Sequence, residues 1–119
     1  MLLRLAARND LPPMNDMRIV LTTVDTKEKA HILAHALVER KLAACVNIVD
    51  RVHSVYRWQD IVETADELLL VIKTVADKVD VLETAVRELH PYELPEFVVL
   101  SAENVEMKYL QWLADSTTG

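Results

Sequence analysis

Glycine is the residue that this sequence most conspicuously lacks. The 119-residue chain contains one, Gly119, at its last position, whereas an ordinary globular protein has about 7% glycine. The glycine-rich loops that hold phosphate groups, the P-loop and the GxGxxG dinucleotide loop, are therefore excluded. The GxSxG nucleophile elbow of the α/β-hydrolases is excluded for the same reason. One absence thus removes three large classes of enzyme.

Cysteine and long apolar runs are scarce as well. Cys45 is the only cysteine, so the chain has no internal disulfide and no CxxC pair of the kind found in structural zinc sites. Its longest apolar runs, residues 42–46 and 68–72, have five residues each, whereas a transmembrane helix needs about 20. These absences exclude a disulfide-rich scaffold, a zinc finger and a channel built from transmembrane helices.

Positive charge is in short supply, and the deficit is concentrated near the carboxyl terminus. The chain has 13 Lys and Arg against 19 Asp and Glu, a net charge of −6. Residues 80–119 contain eight acidic and only two basic residues. Such a segment repels phosphate backbones and attracts cations. We therefore expect neither a nucleic acid nor a membrane as a partner.

Residues 1–16 differ in character from the remainder and are expected to be a flexible leader. Pro12 and Pro13 end any helix before them and favour an extended chain. The apolar stretch of this segment is shorter than the 7–15 residues of a secretory signal, and we expect a cytoplasmic protein. One domain, residues 17–119, accounts for the rest.

The pattern of that domain predicts an α+β fold. β-Branched and apolar residues indicate four strands, two of them long, at residues 18–24, 44–56, 62–74 and 97–101. Apolar residues at helical spacing indicate one helix after the first strand, one after the third and a short one at the end. We expect Asp25, Asp77 and Asn104 to cap these helices. The order is βαββαβ plus a carboxyl-terminal helix, which is the ferredoxin-like split βαβ arrangement with an antiparallel sheet.

Two histidines on the first helix have a spacing that metal sites use. His31 and His35 are four residues apart, so one helical face carries both, together with Glu28 and Glu39. A solvated polar face explains the same four residues, and it is the interpretation that the sequence favours. A zincin-like site is not indicated, since the residues between the histidines include no general-base glutamate.

Cys45 lies at the start of the second strand among alanines and a valine. A buried free cysteine usually behaves as a small apolar residue, which is the favoured interpretation. A soft metal ligand or a reactive thiol is the alternative.

The segment at residues 90–96 (HPYELPE) is the most informative part of the sequence. Two prolines restrict its backbone, which presents a histidine, a tyrosine and two carboxylates. Rigid presentation of these groups suits a divalent-metal or small-ligand site. A rigid turn from helix to strand with its polar groups in water explains the segment equally well.

Five stretches, in order along the chain, resemble the signature of the CutA divalent-cation-tolerance family. They are residues 40–48 (RKLAACVNI), 54–58 (SVYRW), 72–74 (IKT), 90–96 (HPYELPE) and 109–112 (YLQW). The resemblance runs in register over nearly the whole predicted domain. It implies a ferredoxin-like subunit, assembled as a compact homotrimer similar to the PII signalling proteins, whose long hairpins pair across subunits.

The resemblance also implies a role in tolerance of divalent cations, notably copper, with no catalytic reaction. The implied metal ligand is His90. Thr22 and Leu89 stand where some members have a cysteine and a second histidine, so any copper or zinc is expected to bind weakly. Clefts between subunits would be lined by Tyr56, Trp58, Lys73, His90, Tyr92 and Glu96.

Two other functions compete with this one. A PII-like regulatory module would sense a small anion or nucleotide, and Lys73 and Arg57 would then matter most. An acylphosphatase-like hydrolase on the same fold would need backbone amides that cradle phosphate, for which no glycine is available. We therefore expect a non-enzymatic protein.

Overall fold

Strands and helices follow one another in the order that the sequence predicts. The structure is a computed structural model and describes residues 16–119; apart from Asp16, the expected leader lies outside them. The elements are β1 (Met17–Val24), α1 (Lys27–Glu39), β2 (Cys45–Trp58), β3 (Ile61–Val75), α2 (Val79–Leu89), β4 (Val98–Ser101) and α3 (Met107–Ser116). None of the helices in this range is both long and apolar enough to cross a membrane.

The four strands form one antiparallel sheet in the order β2-β3-β1-β4. β1 lies at the centre, where Met17 pairs with Val75 and Ile19 with Leu100. This is the ferredoxin-like arrangement, and the predicted fold class is confirmed. Because β2 and β3 extend well beyond β1, their hairpin projects from the sheet and the described part of the chain measures 57 × 26 × 22 Å.

The core lies between one face of the sheet and the helices α1 and α2. Alternate residues of the central strands point into it, among them the fully buried Val20 and Ile72, which meet Leu33, Leu37 and Leu82 of the helices. α3 packs instead on the end of the opposite face, through Leu110 and Leu113 against Met17 and Val75. The rest of that face has no helix over it in residues 16–119.

A β-bulge interrupts the hairpin between Val49 and Val52. Val49 pairs with Leu69 and Val52 pairs with Glu67, so two residues of β2 lie opposite one residue of β3. Arg51, inside the bulge, has a φ of 64°, in the left-handed region that glycine occupies in G1 bulges. The extra residue shifts the side-chain alternation of β2 by one position. From Val52 onward, each β2 side chain therefore lies on the opposite face from the one that an unbroken strand would give it.

The hairpin closes with a two-residue turn that contains no glycine. Trp58 pairs with Ile61, and the intervening Gln59 and Asp60 have φ values of 51° and 69°. Positive φ at both positions defines a type I′ turn, which ordinarily favours Asn-Gly. The hairpin predicted from sequence is therefore present. Its two turn residues adopt the left-handed conformation although both have side chains, which makes that conformation strained.

The three helix caps lie one to two residues away from the predicted ones. Thr26, not Asp25, caps α1 and accepts a hydrogen bond from the Lys29 amide at 3.2 Å. Asp77 falls within a 3-10 turn, and α2 begins only at Val79 without a side-chain cap. Glu106, not Asn104, caps α3. The polar residues near each helix start compete for the cap, and the exact start decides which one reaches the free amides.

Two buried threonines give a matched test of hydrogen bonding in the core. The Thr74 hydroxyl donates to the Leu42 carbonyl at 2.7 Å, whereas the Thr22 hydroxyl, equally buried, has no hydrogen-bond partner among residues 16–119. We expect Thr74→Val to lower the free energy of unfolding by about 1–3 kcal/mol, because it leaves a buried carbonyl unpaired. Thr22→Val, which removes an unpaired hydroxyl, should leave it unchanged or raise it. Guanidinium denaturation of both variants checks this, and equal destabilisation would contradict it.

Candidate functional site

A cleft of about 720 Å³ lies between the hairpin and residues 92–96, which belong to the connector from α2 to β4. Its walls combine aromatic rings, carboxylates and small or apolar side chains. The lining residues are Thr23, Ser54, Val55, Tyr56, Trp58, Glu63, Ala65, Glu67, Tyr92, Glu93, Leu94 and Glu96. A concave site of this size with converging polar groups is the usual form of a small-ligand site.

The bulge in β2 puts the aromatic wall of this cleft in place. Tyr56 pairs with Glu63, and Trp58 lies two residues further along β2, so both share a sheet face with Glu63 and Glu67. Without the extra residue at the bulge, Tyr56 and Trp58 would point to the other face. The cleft therefore depends on a backbone irregularity as much as on the side chains that line it.

His90 holds the connector against the end of β1. Its Nε2 lies 2.8 Å from the Thr23 carbonyl oxygen, and its Nδ1 accepts a hydrogen bond from the Tyr92 amide at 3.1 Å. The carbonyl can only accept, so Nε2 carries the proton and the imidazole is neutral. The side chain is buried, with 7% of its surface exposed. Both ring nitrogens are thus occupied by hydrogen bonds within the chain.

Tyr92 links the connector to the hairpin. Its hydroxyl donates to Glu67 Oε2 at 2.6 Å, and its ring packs edge-on against His90 at 4.7 Å between centroids. Burial, together with this hydrogen bond to the Glu67 carboxylate, raises the pKa of Tyr92 well above its usual value. Tyr92 therefore stays a hydrogen-bond donor at neutral pH and fixes one wall of the cleft.

The cleft is strongly acidic. Four glutamates line it and no basic side chain does so among the described residues: Glu63, Glu67, Glu93 and Glu96. Desolvation and the charge of Glu67 raise the pKa of Glu96. Desolvation and the Glu63 carboxylate likewise raise the pKa of Tyr56. Both shifts indicate a site in which added negative charge is unfavourable and a cation is favoured.

Of the residues that the sequence singles out, the structure brings most but not all together. The cleft is lined by Tyr56, Trp58, Tyr92 and Glu96. His90 is not in the lining but accepts a hydrogen bond from the Tyr92 amide. Lys73 does not belong to this group. It pairs with Cys45 and lies ten positions along β3 from Glu63, about 33 Å at the usual rise per residue.

Sequence reasoning missed the carboxylates on the hairpin. Glu63 and Glu67 lie four residues apart on β3, and Thr23 completes the cleft at the end of β1. A strand places alternate residues on one face, so Glu63, Ala65 and Glu67 carry a period-2 signal that was available in the sequence. Which β2 residues share this face could not be deduced from the sequence, because the bulge shifts the alternation of the β2 side chains.

The described residues of a single chain do not form a complete metal site. Among residues 16–119, no three His, Cys, Asp or Glu side chains converge as a group that would hold a metal ion. The cleft carboxylates can contact a cation that retains much of its water, as Mg²⁺ commonly does. A closed coordination shell needs ligands from elsewhere.

Comparison with known proteins assigns the chain to a family. A sequence profile described as CutA1 divalent ion tolerance protein matches residues 18–116. The divalent-cation tolerance protein CutA of Thermus thermophilus is 46% identical over 99 residues, which cover 83% of this chain and 96% of that protein. The chain belongs to the CutA1 divalent ion tolerance family. The family resemblance seen in the sequence is therefore confirmed.

Other CutA proteins extend this relationship to eukaryotes and to solved structures. Human CutA is 39% identical over 95 residues, covering 80% of this chain and 53% of the human protein, so the chain spans about half of that relative. The crystal structure of CutA1 from Ehrlichia chaffeensis gives a TM-score of 0.85 at 32% identity, covering 90% of this chain and all of that one. CutA1 from Oryza sativa also gives 0.85, at 41% identity, covering 88% and 96%.

The environment of His90 predicts a pH effect on stability. Burial lowers the pKa of its imidazole, although the Thr23 carbonyl and the charges of Asp25 and Glu67 oppose the shift. The unfolded chain therefore binds a proton more readily than the folded chain, and His90 makes stability fall as the pH drops below about 6.5. The contribution of His90 to the free energy of unfolding is fully present above that pH.

NMR titration of the His90 imidazole in the native protein should give a midpoint below about 6.5. The His90→Gln variant should lose part of the decline in unfolding free energy between neutral and mildly acidic pH. A midpoint at or above 6.5 would show that burial does not control this group.

Proposed function

We propose that the protein acts in divalent-cation tolerance as a non-enzymatic homotrimer that binds a divalent cation reversibly in the acidic cleft. The observation that carries the proposal is the charge of the cleft: four glutamates and no basic side chain among its described lining residues. Its relatives are named for tolerance of divalent ions. Copper and zinc are the ions that the family resemblance implies.

The carboxylates are the proposed points of contact with the cation. Glu93 and Glu96 are exposed on the connector and face Glu63 and Glu67 across the cleft. Desolvation, together with the charge of Glu67, raises the pKa of Glu96, so negative charge at this position is unfavourable. A divalent cation relieves the repulsion and is attracted by it. Weak binding follows, because one subunit offers no closed set of ligands.

His90 enters this proposal as the residue that positions Tyr92 and the connector. A ring nitrogen of His90 can ligate a metal only after giving up its hydrogen bond to either Thr23 or Tyr92. Copper or zinc coordination at His90 therefore requires the connector to move. We propose that the carboxylates meet the cation first and that His90 keeps their backbone in place.

An anionic ligand, as in a PII-like regulatory module, is less well supported. Arg57 is exposed on the hairpin and its guanidinium donates to the Asp60 carbonyl at 3.4 Å, while Lys73 lies far along β3. Neither belongs to the lining of the cleft. A phosphate or nucleotide entering one subunit's cleft would meet carboxylates and be repelled.

The proposal of a homotrimer is supported by the sheet face opposite α1 and α2, most of which has no helix over it in residues 16–119. Asn47, Val71, Leu21 and Val98 lie in one row across the four strands on this face, beside Val49 and Leu69. Val49 and Val98 are exposed, with 45% and 43% of their surface accessible. A contiguous apolar sheet face of this kind is typical of a protein–protein interface. The free edges of β2 and β4 offer backbone groups to neighbouring subunits.

Removing charge from the connector should weaken cation binding. We expect the double variant Glu93→Gln and Glu96→Gln to lose at least about tenfold in Mn²⁺ affinity by titration calorimetry, since Mn²⁺ prefers carboxylate ligands. Glu88→Gln, on the exposed side of α2 and outside the cleft, is the matched control. Equal affinity in the double variant and the parent would exclude the cleft as the cation site.

Charging the uncovered sheet face should break the assembly. We expect the parent to sediment with three times the mass of one chain and Val71→Asp to sediment as a single chain, because burying an unpaired carboxylate between subunits is strongly unfavourable. Val81→Asp places the same charge on an exposed apolar position of α2 and should remain trimeric. A parent that sediments as a monomer at micromolar concentration contradicts the proposal.

A further inference from the structure

The exposed face of α1 carries a pair of histidines that the cleft does not involve. His31 and His35 lie one helical turn apart within the 13 residues of α1. Their ring centroids are 6.3 Å apart, and their planes are inclined by 32°. Both side chains are exposed. The two imidazoles therefore stand side by side on a regular helix, which fixes the spacing of their Cβ atoms.

Neither ring is engaged by the protein, unlike the other two histidines. His53 contacts Asp66 at 2.6 Å through Nδ1, and His90 uses both nitrogens. Within the part of the chain that the structure describes, His31 and His35 make no hydrogen bond and meet only each other. Their nitrogen lone pairs are available to a ligand from solvent, and nothing has to be broken before they bind it.

The surroundings of the pair favour a cation. Glu28 lies three residues before His31, and Glu39 lies four residues after His35, so all four side chains share one face of α1. Lys27, which lies one helical turn before His31, is paired with Asp50 at 3.4 Å. The charge of Lys27 is thus partly offset by Asp50, and the other charged side chains on this face, Glu28 and Glu39, are negative. The two carboxylates attract a cation electrostatically, but they do not complete its coordination shell.

We propose that His31 and His35 form a two-imidazole binding site for a late first-row divalent metal ion such as Zn²⁺ or Ni²⁺. Neutral imidazole is a preferred ligand of these metals. With metal–nitrogen bonds of about 2.0–2.1 Å, two rings on one ion have centroids roughly 5 Å apart. Rotation of two exposed side chains closes the difference from 6.3 Å, with no change in the helix. Water completes the coordination.

This site is independent of the acidic cleft. No residue of α1 lines the cleft, and the ligands are imidazole nitrogens of borderline softness, whereas the cleft offers hard carboxylate oxygens. The two sites should therefore prefer different ions, with Mn²⁺ favouring the carboxylates and Ni²⁺ or Zn²⁺ favouring the imidazoles. Metal bound across one turn also stabilises the helical state, because the unfolded chain does not hold the two rings together.

The test is a Zn²⁺ titration of the full-length protein, followed by NMR of the histidine side chains and by calorimetry. We expect the imidazole signals of His31 and His35 to shift together. His31→Gln and His35→Gln should each lose at least about tenfold in Zn²⁺ affinity, since either removes the advantage of two linked ligands. His53→Gln, a substitution of the other exposed histidine, is the matched control and should bind Zn²⁺ as the parent does.

The outcomes separate this site from the cleft. Shifts confined to one histidine of α1, or an equal loss of affinity in His53→Gln, overturn the proposal. Loss of Zn²⁺ binding in the Glu93→Gln and Glu96→Gln double variant, with His31→Gln unaffected, also overturns it and leaves the cleft as the metal site. Loss in His31→Gln with the double variant unaffected supports the histidine pair whatever the result for Mn²⁺ at the cleft.

Discussion

The division of the sheet face opposite α1 and α2 into two halves depends on one extra residue in β2. The bulge between Val49 and Val52 reverses the alternation of side chains along the strand. Before it, Asn47 and Val49 share the apolar sheet face with Val71 and Leu69. After it, the same face continues with aromatic rings and carboxylates. The left-handed Arg51 is the local cost of this reversal. A single irregularity thus divides one continuous face into an apolar half and an acidic half.

The acidic half has shape because residues 90–96 are held by hydrogen bonds at His90 and Tyr92. His90 binds the last turn of α2 to the Thr23 carbonyl of β1, and the Tyr92 hydroxyl reaches Glu67 on the hairpin. A hydrogen bond to an ionised carboxylate is stronger than one between neutral groups. Pro91 and Pro95 restrict the backbone between and after these contacts. The sequence left this segment open between a ligand site and a turn; the structure shows a turn held by His90, with the carboxylates of Glu93 and Glu96 lining the cleft.

The fold could be predicted almost completely from the sequence, whereas the site could be predicted only in part. Element order and topology follow from apolar periodicity and from the two long strands, which are strong, repeated signals. The caps were misplaced by a residue or two because Asp25, Thr26 and similar neighbours compete, and only the backbone geometry selects one. Glu63 and Glu67 were overlooked because register and bulges are properties of strand pairing that no single strand encodes. The place of Lys73 in a cleft between subunits stays a prediction.

The central position of β1 also has a consequence for the order in which the chain is synthesised. β1 leaves the ribosome first, yet its neighbours in the sheet are β3, complete at Val75, and β4, complete at Ser101. At about 5–20 residues per second, β1 waits roughly 3–10 seconds for β3 and roughly 4–15 seconds for β4. β2 and β3, joined by a two-residue turn, can pair as they emerge. The two strands of the hairpin are therefore available to pair before the sheet can be completed, and β1 gains its last neighbour only after β4 has been made.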